Sequence, residues 1–272
     1  MSATTASAQT AANEPAALEE VIVTAQKREQ RLLDVPVAVT VVGAGQMERA
    51  AIKNIGELQF AVPTLNFNAG PLTSYSVRGV GTATFTRTAE NGVSVVVDGV
   101  VQGQLVPPSG GIFDVARVEV LSGPQGMLFG KNASAGVVHI VTTAPVLGET
   151  EFSGKVDLGE AGLQSYRGIA NLPLGDTSAL RISAFSDSQQ GRLWNLHKGR
   201  GRVGGYNNAG VRARLLWDPT ENVSVNLIAD YEKNHGGNSV WTSRKAGPVT
   251  PVLNACGVTP GPENTDLCLD GP

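Results

Sequence analysis

The chain has 272 residues, with 33 Gly, 15 Pro, 17% charged residues and a formal net charge of −3. Because average proteins contain roughly 7% Gly and roughly 25% charged residues, this is a turn-rich and lightly charged polypeptide. No run of Lys and Arg supplies the basic face that nucleic-acid binding requires, which excludes nucleic acid as a main partner. No apolar run approaches the roughly 18 residues of a transmembrane helix, whereas membrane strands, whose signal is only an alternation, stay possible.

Residues 1–31 are predicted to be a disordered tail, because most of them are small or polar and show no hydrophobic period. One β-prone hexamer interrupts the tail, and it consists of Glu20, Val21, Ile22, Val23, Thr24 and Ala25. Residues 1–9 lack the apolar segment of a secretory signal, yet the triplet 6–8, Ala-Ser-Ala, suits cleavage by signal peptidase. We therefore expect an incomplete signal peptide and a true start upstream of Met1.

Residues 32–145 are predicted to mix short strands with brief helices. Residues 35–42 are β-branched and predict a buried strand. Asn54 is a candidate helix N-cap with Glu57 three residues later, and Pro63 is expected to end that helix.

A hairpin and two further strands are predicted in the second half of this region. Asp98 and Gly99 lie between two valine-rich runs, which predicts a two-residue turn with positive φ at both positions. Residues 115–121 and 137–142 read as two more strands, and the glycine-rich stretch 122–130 lies between them.

Residues 151–272 show a period of two. Alternating segments occur at 152–158, 165–174, 179–187, 208–217 and 222–231. In the fourth segment Arg212 and Arg214 lie opposite apolar residues, which is typical of a barrel wall with lipid outside and polar groups inside. A soluble β-sandwich would show the same alternation with the faces exchanged. Short turns at one end and long loops at the other favour the barrel.

The two cysteines, Cys256 and Cys268, lie in a loop-like stretch near the carboxyl end. A disulfide across this short loop would contribute roughly 3 kcal/mol and would indicate an oxidising compartment. Two unrelated free thiols are the alternative. Zinc is disfavoured because the three histidines are scattered along the chain.

Nothing in the sequence predicts an enzyme, a cofactor or a metal site. Glycine motifs at 43–48 and 199–204 suggest nucleotide binding in form only. The first has Glu48 where a third glycine is needed, and the second neither follows a strand nor opens a helix.

Five blocks of this sequence match a known family in the family's order. They are residues 20–25, 75–81, 95–100, 113–126 and 129–142. Together they resemble the TonB-dependent outer-membrane receptors. The resemblance implies an α+β plug domain at 32–145, followed from 151 by the first strands, about five, of a transmembrane β-barrel. Family barrels of this plugged kind have about 22 strands, so we expect this chain to be a fragment of a longer receptor.

The resemblance also implies roles for single residues. Residues 20–25 resemble the TonB box, a strip that pairs as an added strand with TonB, the energising partner that works with ExbB and ExbD. Further plug positions match the family's structural or contact residues: Arg78, Gly79, Asp98, Gly99, Arg117, Glu119, Gly123, Pro124, Gly126 and Gly130. Arg78 and Glu119 are expected to hold plug to plug or plug to wall. Ser122 departs from the family, which often has Arg there.

The function implied is active transport across the bacterial outer membrane, with an extracellular small molecule and outer-membrane lipid as further partners. Ferric siderophore is the family's commonest solute, and vitamins and glycans are alternatives. The loops that follow residues 187 and 232 are expected to be extracellular. A passive porin-like channel is disfavoured because the plug would obstruct it, and a soluble plug-like binding module is the other alternative.

Overall fold

Two five-stranded sheets contain most of the regular structure. The computed structural model describes residues 22–24, 28, 30–68, 74–82, 91–102, 112–191, 193–194 and 202–236. No helix among these residues is long and apolar enough to cross a membrane. Cys256 and Cys268 lie outside the described residues, as do Glu20, Val21 and Ala25 of the predicted TonB box.

The described residues before 145 form ten strands and two helices. The strands are β1 (Ile22–Val23), β2 (Gln30–Arg31), β3 (Val39–Gly43), β4 (Leu65–Asn68), β5 (Ser74–Val77), β6 (Val80–Gly81), β7 (Val93–Val97), β8 (Val100–Val101), β9 (Val115–Ser122) and β10 (Gly136–Thr142). The helices are α1 (Ala44–Arg49) and α2 (Gly126–Phe129), with 3₁₀ turns at Leu32–Asp34 and Ile55–Phe60.

The plug sheet has the order β3-β9-β10-β7-β8, in which β10 runs parallel to β7 and the other pairs are antiparallel. Its central strands are apolar on both faces because each face carries a buried cluster. One cluster includes Val42, Val118 and Val138, and the other includes Leu121 and Val137. A separate three-stranded sheet, β4-β5-β6, packs beside the 3₁₀ turn at Ile55–Phe60.

Local signals predicted several of these elements. The side chain of Asn54 accepts a hydrogen bond from the Glu57 N–H at 3.1 Å, which confirms the cap. Asp98 and Gly99 have φ values of 46° and 82°, as the predicted turn requires. The strand predicted at 35–42 is shorter than expected and begins at Val39, because Pro36 has no N–H to donate and lies in a bend.

Between residue 150 and the last described residue, 236, the strands are β11 (Glu151–Gly159), β12 (Leu163–Gly175), β13 (Ser178–Gln189), β14 (Leu193–Trp194), β15 (Arg202–Val203), β16 (Tyr206–Thr220) and β17 (Val223–Gly236). The short pair β14–β15 lies in the connection between β13 and β16. The wall sheet has the order β11-β12-β13-β16-β17 and is antiparallel throughout. These five long strands confirm the five alternating segments of the sequence.

The two faces of the wall sheet differ in polarity as predicted. The outward face exposes large apolar side chains, among them Phe152, Val156, Leu227 and Tyr231. The inward face carries arginines that contact the plug region, described below. This arrangement reverses that of a water-soluble sandwich, whose apolar residues face each other.

The end of the predicted tail is ordered, which differs from the expectation of a disordered segment. Ile22 pairs with Arg31 and Val23 with Gln30, so β1 and β2 form a small antiparallel ladder. The reason is a buried contact: Val23 has no exposed surface. Burial of this valine in an apolar pocket stabilises the ordered conformation, although the neighbouring sequence is small and polar.

Candidate functional site

Residues 22–24 lie against the plug sheet, and we call them the strap. Val23 belongs to a buried apolar cluster with Leu121, Phe129 and Val137. Full burial of a valine is worth about 1.5 kcal/mol or more, so this contact alone favours the docked strap only modestly. Of the predicted TonB box, the structure therefore places Ile22, Val23 and Thr24 on the plug.

Thr24 is held by the carboxylate of Glu119, which lies 95 positions away in the sequence. The Thr24 N–H donates to Glu119 Oε1 at 2.8 Å, and the Thr24 hydroxyl lies 3.1 Å from the same oxygen. Arg117 Nε donates to Oε1 as well, at 2.8 Å. A main-chain N–H, a hydroxyl and a guanidinium thus all contact one carboxylate oxygen.

His139 completes this cluster from the neighbouring strand. It stands directly opposite Glu119 in the β9–β10 ladder, and its Nδ1 lies 3.4 Å from Glu119 Oε2 and 3.4 Å from the Thr24 hydroxyl. Burial opposes ionisation of Glu119, but hydrogen bonds from His139, the Thr24 N–H and Arg117 outweigh it, so the pKa of Glu119 is lowered. Glu119 is therefore a buried carboxylate that stays ionised.

A second set of contacts fastens the plug region to the wall sheet. Arg181 of β13 grips Asp114 with two parallel hydrogen bonds, Nε to Oδ2 at 2.9 Å and Nη2 to Oδ1 at 2.8 Å. Its Nη1 also donates to Glu151 of β11 at 3.1 Å. The side chains of Arg181 and Asp114 are 6% and 4% exposed, so this pair is shielded from water and from salt.

Arg212 of β16 makes the next contact along the wall. Its Nη1 donates to the Phe113 carbonyl at 3.1 Å, its guanidinium carbon lies 4.4 Å from the Phe113 ring centre, and Asp230 balances its charge at 2.6 Å. The Phe113 ring also packs on Phe185 of β13 with ring centres 4.5 Å apart. An aromatic side chain of the plug is therefore enclosed by the wall.

Arg214 and Asp98 form a third contact. Arg214 Nη1 donates to the Thr142 carbonyl at 2.8 Å and lies 4.0 Å from Asp98 Oδ1. Asp98 in turn accepts the Thr142 N–H at 2.9 Å and the Thr142 hydroxyl at 2.7 Å. The predicted turn at 98–99 thus carries a carboxylate to the plug–wall boundary.

The other predicted plug residues occupy turns. Arg78 and Gly79 have φ values of 53° and 79° and join β5 to β6, so they form a positive-φ turn like that at 98–99. Arg78 is exposed and, within the described part of the chain, forms no ion pair, so the expected contact with plug or wall is not found there.

The glycines after β9 differ from one another. Gly123 and Gly130 have φ values of 96° and 82°, which favour glycine, and Pro124 follows Gly123. Gly126 begins α2 without a positive φ, and nothing lies within 4 Å of a Cβ added there. Nothing in the structure explains why glycine is needed at this position.

Sequence reasoning missed Asp114, Phe113, Thr142 and Arg181 as contact residues. The wall side of the contact could have been found from the sequence. Arg212 and Arg214 were predicted to face inward, and Arg181 of β13, which also has apolar neighbours on both sides, is paired with Arg214. The plug side gave no such signal, since Asp114 reads as an ordinary loop residue.

An open recess of about 470 Å³ lies on the β4-β5-β6 sheet. Its lining is uncharged and rich in amide and hydroxyl groups, including Asn66, Ser74, Ser76 and Thr82. The recess therefore presents hydrogen-bonding groups but no charge.

The family profile described as TonB-dependent Receptor Plug Domain matches residues 31–137. Residues 31–137 therefore resemble the plug domain of the TonB-dependent receptors. The fold of the chain is the expected one, an α+β plug followed by the first antiparallel strands of the family's barrel.

Relatives agree with this assignment. The chain is 36% identical over 172 residues to the pesticin receptor of Yersinia enterocolitica, a match that covers 61% of this chain and 24% of that protein. It is 31% identical over 168 residues to the vitamin B12 transporter BtuB of Vibrio vulnificus, covering 56% of this chain and 26% of that one.

Solved structures agree as well. The structure resembles the ferric yersiniabactin uptake receptor FyuA from Yersinia pestis with a TM-score of 0.66 and 25% identity, over 72% of this chain and 31% of that chain. The match to the curated relatives thus spans about a quarter of their length.

Proposed function

We propose that this protein is an outer-membrane receptor that binds a scarce solute outside the cell and imports it with energy delivered through TonB. In this proposal residues 20–25 are the TonB box, residues 32–145 are the plug, and the strands from residue 151 are the barrel wall. TonB, working with ExbB and ExbD, grips the strip and displaces part of the plug. No chemical catalysis is required, and the named relatives are receptors and a transporter.

The observation that carries the proposal is the position of the strap. A β-prone strip precedes the matched plug domain, and its residues 22–24 contact the plug through one buried valine and one carboxylate. Main-chain pairing with a partner strand needs such a strip, and the plug that follows it is fastened to the wall by arginines. Force applied at the strip would therefore reach the plug, while the wall stays in place.

The solute class is proposed as a ferric siderophore. Support comes from the names of relatives, since FyuA is described as a ferric yersiniabactin uptake receptor. BtuB is named a vitamin B12 transporter, which keeps a vitamin as the second candidate. The uncharged recess on β4-β5-β6 offers hydrogen-bonding groups to a solute of either kind.

Uptake by cells provides the test. Val21→Pro removes a ladder donor from the strip without touching the docked residues, and we expect it to abolish uptake of radiolabelled ferric siderophore. Ala12→Pro, an equivalent change upstream of the strip, is the matched control and should leave uptake intact. Uptake that persists with Val21→Pro or without TonB would favour the passive channel. Recovery of the protein in the periplasmic fraction would favour the soluble module.

A further inference from the structure

A buried carboxylate outside the strip contacts it directly. Glu119 accepts the Thr24 N–H and lies within hydrogen-bonding distance of its hydroxyl, and it belongs to β9 in the interior of the plug sheet. We propose that Glu119, oriented by Arg117 and His139, is a positioning residue that holds the TonB box in a docked state with which TonB must compete. This inference rests on the proposed function of residues 20–25.

The competition follows from the hydrogen bonds. A partner strand pairs through backbone N–H and C=O groups, and a single N–H cannot serve two strong acceptors at full strength. The N–H of Thr24 is occupied by Glu119, the backbone of Ile22 and Val23 is paired with β2, and the Val23 side chain is buried. Residues 22–24 are therefore engaged on the plug when TonB arrives.

Release leaves no stranded charge, which makes the docked state reversible. When Thr24 departs, Glu119 keeps its 2.8 Å hydrogen bond from Arg117 and its neighbour His139 at 3.4 Å. Removing one partner of a buried ion pair is costly, but here the pair itself stays together. The charged groups facing Glu119 are Arg117 from its own strand and His139 from β10, while Thr24 faces it from the strap.

The proposal predicts a gain of TonB binding when Glu119 is neutralised. Glu119→Gln keeps the shape of the side chain but replaces a charge-assisted hydrogen bond with a weaker neutral one. We expect the TonB periplasmic domain to bind the purified protein roughly tenfold more tightly, the equivalent of one charged hydrogen bond lost from the docked state. Amide hydrogen exchange of residues 22–24 should rise by a similar factor.

Glu57→Gln is the matched control. Glu57 also accepts a backbone N–H, that of Lys53 at 2.6 Å, but it lies in the plug away from the strap. We expect it to change neither TonB binding nor exchange in the strap. If a general loss of plug stability were the cause, TonB binding and strap exchange would change in the same direction in both variants.

Thr24→Val is a second variant, used in case Glu119→Gln disturbs β9 and β10. It leaves the plug interior intact and removes only the hydroxyl, so we expect faster exchange at residues 22–24, by roughly threefold. Unchanged strap exchange in both variants would overturn the inference. Absence of TonB binding to the wild type and to every variant would instead refute the TonB-dependent function.

Discussion

Two attachments of the plug, one to the wall and one to the strap, differ in kind. At the wall, Arg181, Arg212 and Arg214 each bond a group of the plug, and Asp114 is almost completely buried beneath Arg181. At the strap, one valine and one carboxylate make the contact. Opening the wall contact would strand a buried charge, whereas releasing the strap would not. The comparison indicates a fixed side and a releasable side of the same domain.

The largest effect is expected when the wall contact is broken at Arg181. Arg181→Met leaves Asp114 buried and unpaired, which should lower the free energy of unfolding of the plug by about 3–5 kcal/mol. Chemical denaturation followed by intrinsic fluorescence measures this change. The exposed pair between Lys155 of the wall and Glu48 of the plug helix α1, at 2.8 Å, provides the control because it also joins plug to wall, and Lys155→Gln should have no measurable effect. An equal effect of both variants would remove the contrast between the two attachments.

A smaller effect is expected at the linker between plug and wall. The buried Asn171 side chain accepts the Val146 N–H at 3.0 Å and donates to the carbonyls of Val146 and Glu149 at 2.9 and 2.7 Å. Asn171→Ala should cost about 2 kcal/mol and increase protease cleavage of the linker. Asn171→Asp keeps the acceptor but places a carboxylate oxygen against two carbonyls, so cleavage at least as fast as in Asn171→Ala is expected. Cleavage unaffected by either change would show that the linker is held by other contacts.

The turn that carries Asp98 to the wall gives a third prediction. Gly99 has φ of 82° with open space around it, so Gly99→Ala adds backbone strain without a clash. We expect a loss of about 1 kcal/mol in thermal unfolding. Gly126→Ala is the matched control, since Gly126 has no positive φ and equally open space. If Gly126→Ala costs as much, glycine is required there for a reason other than conformation.

Acid should weaken the docking of the strap on the plug. Burial disfavours the Glu119 carboxylate, but its hydrogen bonds lower the pKa overall, and the Thr24 N–H is one of them. The stabilisation by the docked strap is therefore complete above the ordinary glutamate pKa of about 4.3 and is lost as the pH falls through the lowered value. Amide exchange of residues 22–24, corrected for intrinsic rates, should stay constant from pH 8 to about 5 and rise below that range. Exchange that does not change down to about pH 3 would contradict this role of Glu119.

Local patterns predicted the wall well and the plug partly. The alternation of apolar and polar residues predicted all five long strands of the wall, because successive side chains of a barrel strand face lipid and the interior in turn. The turn at 98–99 was predicted from its Asp-Gly pair, whereas the similar turn at 78–79 was not, because Arg-Gly lacks that signature. The tail was expected to be disordered, but Val23 found a pocket built from residues about 100 positions away.

The sequence by itself determined the alternating strands of the wall and the turn at 98–99, since each depends on a short run read in order. The TonB box at 20–25 stays a prediction. The tertiary structure decided which charges meet. Thr24 lies 95 positions from Glu119, and Asp114 lies 67 from Arg181. No periodicity extends over such distances. These partners meet only when the strap docks on the plug sheet and the plug packs against the wall, where burial makes an unpaired charge too costly to keep.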